Sequence, residues 1–152
     1  MQAYGSFAQV YDLFMEDVPY VEWGKHIEEV WERYNISPKL VAELGCGTGT
    51  LCNYFAEKNI EVIGIDNSAE MLSIAKEKTA KKGLEVLYLL QDMQDFELYG
   101  TVDSIYSTCD SVNYILEKED LLNTFKWVNN YLEPGGVFIF DINTQYKYEK
   151  IL

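Results

Sequence analysis

Two hydrophobic rhythms alternate along the chain. Tyr20, Trp23, Ile27, Val30, Trp31 and Tyr34 recur at three- and four-residue steps, which predicts a helix opened by Pro19 and broken by Ser37-Pro38. The pattern then turns into a near-continuous apolar run at residues 39–44, a predicted strand. Residues 48–58 carry Leu51, Tyr54 and Phe55 at helical spacing. Residues 60–65, with V-I-G-I at their heart, predict a β-branched second strand that ends at Asp66. A helix over 68–82 is stopped by Gly83. Residues 84–90 and 102–107 predict a third and a fourth strand, separated by a loop over 91–100. Leu121, Leu122, Phe125, Val128 and Leu132 are in phase over 119–132, a further helix. Pro134-Gly135-Gly136 then turns the chain into a fifth strand at 137–142.

Strands and helices alternate, and the strands are apolar on both faces. Both features predict a parallel sheet covered on each side, a doubly wound Rossmann-like α/β fold with right-handed crossovers. The 152 residues suit one core, with no internal repeat. Ligands in such sheets lie beyond the carboxyl ends of the strands. The positions to inspect are therefore 45–49, Asp66, 91–93, 107–110 and 141–143.

Composition narrows the function classes. A 48% hydrophobic and 14% aromatic content is enough to fill a core and too apolar for a disordered chain. The net charge of −13 disfavours bulk nucleic-acid binding, where basic residues supply most of the affinity. Lys76, Lys78, Lys81 and Lys82 cluster, which reads as a solvated helix face. The N-terminus lacks a basic stretch followed by an apolar run, and no segment approaches the ~18 apolar residues of a membrane span. Neither a signal peptide nor membrane association is expected. Cys46, Cys52 and Cys109 form no C-x-x-C pair, as expected of reduced thiols in a cytoplasm. With His26 the sole histidine, neither zinc nor Ser-His-Asp chemistry is expected. His26 itself reads as a surface or packing residue.

The candidate chemistry starts at V-A-E-L-G-C-G-T-G-T, residues 41–50, where a strand runs into Gly45, Gly47 and Gly49. A pyrophosphate-binding turn reads G-x-G-x-x-G, but Thr50 holds the third glycine's place. No Gly-Lys-Ser/Thr follows, so a Walker loop is absent too. Asp66 ends the next strand, where a carboxylate can accept hydrogen bonds from both hydroxyls of a ribose. Its competing role is a helix N-cap, which Asn67 and Ser68 could fill equally well. Asp92, in L-L-Q-D-M, could accept from a purine amine while the following N–H donates to a ring nitrogen. Alone it is a loop carboxylate.

Together, E-L-G-C-G-T-G, G-I-D-N-S-A-E-M-L, Q-D-M, C-D-S-V-N-Y and L-E-P-G-G-V-F-I-F-D resemble the motifs of class I S-adenosylmethionine-dependent methyltransferases. The match runs in order over about residues 40–145, and Y-G-S-F-A-Q-V-Y-D looks like the opening of small bacterial YqeM-like members. The resemblance implies strand order 3-2-1-4-5 and an N-terminal helical segment, 1–36, over the cofactor site of a core at 37–152. It implies S-adenosyl-L-methionine as cofactor. Gly45, Gly47 and Gly49 would approach its methionyl part, with Cys46 in the same loop and Glu43 supporting loop and ammonium. Asp66 would take the ribose, with Asn67 beside it, and Met71 would pack beneath the adenine. Asp92 would read the adenine amine, with Gln91 and the Met93 backbone adjoining. Cys109 and Asp110 would lie near the sulfonium, Tyr11 would close the site, and Asp110 is the candidate general base.

Members of the family usually continue past the fifth strand into a helix and an antiparallel strand pair. Their absence would leave V-F-I-F-D-I at an open edge, a liability unless covered. A fragment of a longer protein is the expectation, with self-association through that edge the other way to cover it. The acceptor is left open. A nicotinamide-dependent oxidoreductase and a non-catalytic S-adenosylmethionine-binding module are the competing readings.

Overall fold

A computed structural model of the chain describes residues 20–107 and 118–140. Its elements are α1 (Tyr20–Arg33), β1 (Leu40–Leu44), α2 (Thr50–Ala56), β2 (Glu61–Asp66), α3 (Ala69–Lys81), β3 (Leu87–Leu90), β4 (Val102–Ser107), α4 (Lys118–Tyr131) and β5 (Leu132–Phe140). The strands form one sheet in the order β3-β2-β1-β4-β5, with every ladder parallel. This is the doubly wound arrangement that the apolar strands and intervening helices predict.

Central β1 explains why its run is apolar on both faces. Val41 belongs to a core with Ile27, Trp31, Leu51, Phe55 and Tyr106, whereas Ala42 and Leu44 face the other way, into a core with Ile65, Phe96, Ile105 and Val128. Strand side chains alternate faces, so one strand seeds both layers. The first layer includes α1. Its Trp31 ring lies 4.9 Å from Phe55, and Trp31 Nε1 donates to Ser104 Oγ at 2.9 Å. Ser104 Oγ in turn donates to the Val137 carbonyl at 2.9 Å, so α1, β4 and β5 are tied by one buried relay.

Three of the boundaries that differ from the sequence pattern have a visible cause. α2 starts at Thr50 rather than 48, because Gly49 has the left-handed φ of 79° and cannot be a helical residue. The third strand starts at Leu87 rather than 84; Gly83 at φ 69° and the Leu84 N–H on the Thr79 carbonyl close the end of α3 first. The fifth strand starts at Leu132, and Pro134-Gly135-Gly136 is absorbed as a register shift opposite Val102 and Ser104. No helix among the described residues is long and apolar enough to cross a membrane.

Candidate functional site

Three segments converge where β1, β2 and β3 end. Gly45, Gly47 and Gly49 all take positive φ, at 68°, 56° and 79°, and fold the 45–49 loop back over the sheet. The Cys46 N–H donates to the Ile65 carbonyl at 2.9 Å, and the Gln91 N–H to the Asp66 carbonyl at 3.0 Å. Both loops are thereby hung on the end of β2.

The Asp66 carboxylate is the centre of this arrangement. Oδ2 accepts from the Gly47 N–H at 2.8 Å, and Oδ1 from the Ser68 N–H at 2.9 Å. Ser68, not Asp66, caps α3, its Oγ accepting from the Met71 N–H at 3.2 Å. Burial pushes the Asp66 carboxyl above its ordinary value, opposed by the N–H groups of Gly47, Ser68 and Asn67. A carboxylate has about four lone-pair sites, so these backbone donors still leave acceptor capacity for a ligand's hydroxyls.

This geometry spends one of the loop's donors within the protein. In a pyrophosphate-binding turn the loop N–H groups face the anion. Here the Gly47 N–H is committed to Asp66 Oδ2.

Under the loop, the Tyr88 hydroxyl donates to Thr79 Oγ1, which donates to Asn53 Oδ1, both at 2.7 Å. A Cβ on Gly64 would lie 2.8 Å from Tyr88 Cδ1, so that glycine in mid-strand lets the ring cross β2. Lys78 Nζ donates to Thr50 Oγ1 at 2.9 Å and Thr48 Oγ1 at 3.3 Å, which removes it from the solvated lysine face expected of it. Thr79→Val leaves the Tyr88 hydroxyl and the Asn53 carbonyl buried without their partner. A loss of about 2–3 kcal/mol is expected in denaturant unfolding, with Thr79→Ser close to the parent. Equal losses for valine and serine would assign the effect to packing instead.

Glu43, on the α2 side of β1, is 3% exposed. Cys52 Sγ donates to its Oε1 at 3.1 Å, and Cys46 lies against Cys52. Tyr106, its register partner on β4, presents a buried hydroxyl toward the same carboxyl but completes no well-formed hydrogen bond. Burial, partly offset by Cys52 and Tyr106, pushes the Glu43 carboxyl up to about 8.

The remaining predicted residues divide. Asp92 is exposed, with Oδ1 accepting from the Gln94 N–H at 2.8 Å. Gln91 spends its side chain on its own loop: Oε1 accepts from the Glu97 N–H at 2.7 Å and Nε2 donates to the Glu97 carbonyl at 3.2 Å. Met71 is buried in the first turn of α3, Met93 packs against the second core, and Asn67 is exposed beside Asp66. His26 is exposed. Tyr11, Cys109 and Asp110 lie outside the described residues. Tyr88, Thr79 and Tyr106 were not singled out from the sequence. Gly64 inside an apolar strand was the available signal for the first, since glycine there marks a close approach.

Comparison with known proteins identifies the family. Residues 41–136 match the model of a family described as a methyltransferase domain. YqeM of Bacillus subtilis, named as a methyltransferase, is 38% identical over 149 residues, 97% of this chain and 58% of its own length. A methyltransferase-named protein of Geobacillus sp. is 32% identical over 97% of this chain and 60% of its own. Among solved structures, an S-adenosylmethionine-dependent methyltransferase from Clostridium acetobutylicum superposes with a TM-score of 0.84 at 38% identity, covering 99% of this chain and 61% of that one. DesVI of Streptomyces venezuelae superposes at 0.80 with 27% identity, over 90% of this chain and 57% of its own. The chain thus spans about three-fifths of the length of these relatives.

Proposed function

The chain belongs to the methyltransferase-domain family, and on that premise we propose that the cleft over β1 and β2 binds S-adenosyl-L-methionine for methyl transfer to an acceptor. The observation that carries this reading is the Gly47 N–H on Asp66 Oδ2. It fixes the carboxylate that ends β2 beside the glycine loop and leaves it acceptor capacity for ribose hydroxyls. A dinucleotide-binding turn would carry a third glycine where Thr50 stands, which counts against the oxidoreductase alternative.

The bound group supplies a methyl already activated on a sulfonium, open to in-line displacement by a nucleophile. The residues then need to bind and orient. Asp66 holds the sugar, the 45–49 loop gives bare backbone to the amino-acid tail, and the loops hung on β2 fix both against one rigid sheet end. Orientation of this kind can supply ~7–11 kcal/mol of rate acceleration. Tyr11, Cys109 and Asp110 complete this proposal from the family motifs, with Asp110 as general base if the acceptor must lose a proton.

Calorimetry with S-adenosylmethionine, S-adenosylhomocysteine and NAD tests the cofactor. Binding of the two sulfur nucleosides without NAD is expected, and the converse would overturn the reading. Asp66→Ala weakens S-adenosylhomocysteine by roughly 10–150-fold, the scale of charged hydrogen bonds lost from a carboxylate. An unchanged Kd would remove the ribose assignment. Methylation assays with the complete gene product identify the acceptor; cofactor binding without methylation in a broad screen favours a non-catalytic module.

A further inference from the structure

Glu43 has a surrounding that a loop-supporting carboxylate does not need. The titratable groups facing it are Cys52 from α2, Cys46 from the loop, Tyr106 from β4, Asp66 from β2 and Tyr88 from β3, all neutral or acidic. A thiol is a weak donor, and the stronger donor at hand, the Tyr106 hydroxyl, is buried toward the same carboxyl without completing a well-formed hydrogen bond. A fully buried polar atom left in this state is rare in folded proteins and asks for an explanation, which a second state that uses it would supply. Asp66 acts on Glu43 through space, so Glu43 is within electrical reach of the ligand cleft.

We propose that Glu43 is a proton-linked positioning residue, neutral in the free protein, which gives its proton to solvent when a cationic ligand settles on the 45–49 loop, Tyr106 then donating to the carboxylate. The proposal rests on the cofactor reading above, which supplies the cation: an ammonium and a sulfonium in one ligand. The balance is simple. The carboxyl O–H bond breaks, the proton leaves to buffer, and the ligand's positive charge replaces it in a low-dielectric setting where Coulomb attraction is strong. The Tyr106 hydroxyl keeps its own proton and turns it toward the oxygen.

The test is calorimetry of the chain with S-adenosylmethionine and S-adenosylhomocysteine in buffers of different ionisation enthalpy. A free carboxyl near 8 is roughly nine-tenths protonated at pH 7, so the parent should release close to one proton more per ligand than Glu43→Gln. The parent's affinity should rise by up to tenfold per pH unit from about pH 6 to 8 relative to that variant. Tyr106→Phe should release fewer protons at pH 7 and regain them toward pH 8, a shift that loss of packing alone would not produce. Should Glu43→Gln fail to fold, carboxyl ¹³C resonances of the parent give the same answer: one titrates near neutrality in the free protein and holds its ionised position in the complex. Binding with identical proton counts in parent and Glu43→Gln, or no such resonance, overturns the proposal and leaves the cofactor reading standing. No binding of either nucleoside overturns both.

Discussion

Replacing Gly49 by alanine is expected to lower the unfolding free energy by about 3–5 kcal/mol, from a left-handed φ, an overpacked contact and a strained hydrogen bond. Gly49 has φ 79°, where a Cβ is strained wherever it points. That Cβ would also overlap the Tyr88 hydroxyl and come within 3.1 Å of the Ala75 Cβ. The tyrosine has little freedom to yield. Its hydroxyl is bonded to Thr79, and its ring lies over Gly64. A chain of this size is commonly stable by only about 5–15 kcal/mol, so the variant should melt far below its parent or fail to fold. The diagnostic measurement is a double-mutant cycle. Tyr88→Phe removes the oxygen that the new methyl meets, so Gly49→Ala should cost at least about 1 kcal/mol less in the Tyr88→Phe background. Additive losses would mean that the tyrosine is not what requires a glycine here. The cycle also separates two uses of one motif. At Gly49 the missing side chain serves the protein's own packing, whatever the ligand above the loop gains from it.

That distinction was not legible in the sequence, and the reason is physical. Spacing reports local geometry: three glycines after a strand require a tight turn, and an aspartate ending the next strand lies near it because parallel neighbours end together. The layers and the place of Asp66 followed from such local facts, whereas the strand order came with the family resemblance. Tyr88 is 39 residues beyond Gly49, and it meets that loop only because β3 lies beside β2 and Gly64 lets its ring through. Tyr106 meets Glu43 because β4 pairs with β1, a consequence of the crossover that no periodicity encodes. Lys78 looked like one of four solvated lysines, and its turn toward Thr48 and Thr50 depends on how α3 sits over the loop. Gln91 illustrates the converse limit. Its motif pointed to a ligand, and its side chain is spent on holding its own loop closed.

Glu43 should make the free protein less stable as the pH rises, against the usual trend for carboxylates. Its folded value of about 8 exceeds the ordinary value of 4.5 because burial penalises the charged form. Between those values the folded state holds a proton that the unfolded state has lost, so the unfolding free energy falls with rising pH. The contribution is fully present below the unfolded value and gone above the folded one. Over the full window it amounts to about 4–5 kcal/mol, at 1.36 kcal/mol per unit. Urea unfolding of the free chain from pH 5 to 8.5 reads this directly, with Glu43→Gln as reference because other groups titrate in the same range. The glutamine is neutral throughout, and its amide can donate to the unused Tyr106 oxygen, so near pH 5 the two proteins should be of similar stability. By pH 8.5 the variant should be the more stable by several kcal/mol, and parallel profiles would show that Glu43 ionises as an ordinary carboxyl. The sign carries the link to function. A neutral carboxyl under the glycine loop favours the free fold at low pH, whereas a cationic ligand favours the ionised one. Saturating S-adenosylhomocysteine should therefore flatten the parent's decline with pH and leave the slope of Glu43→Gln almost unchanged.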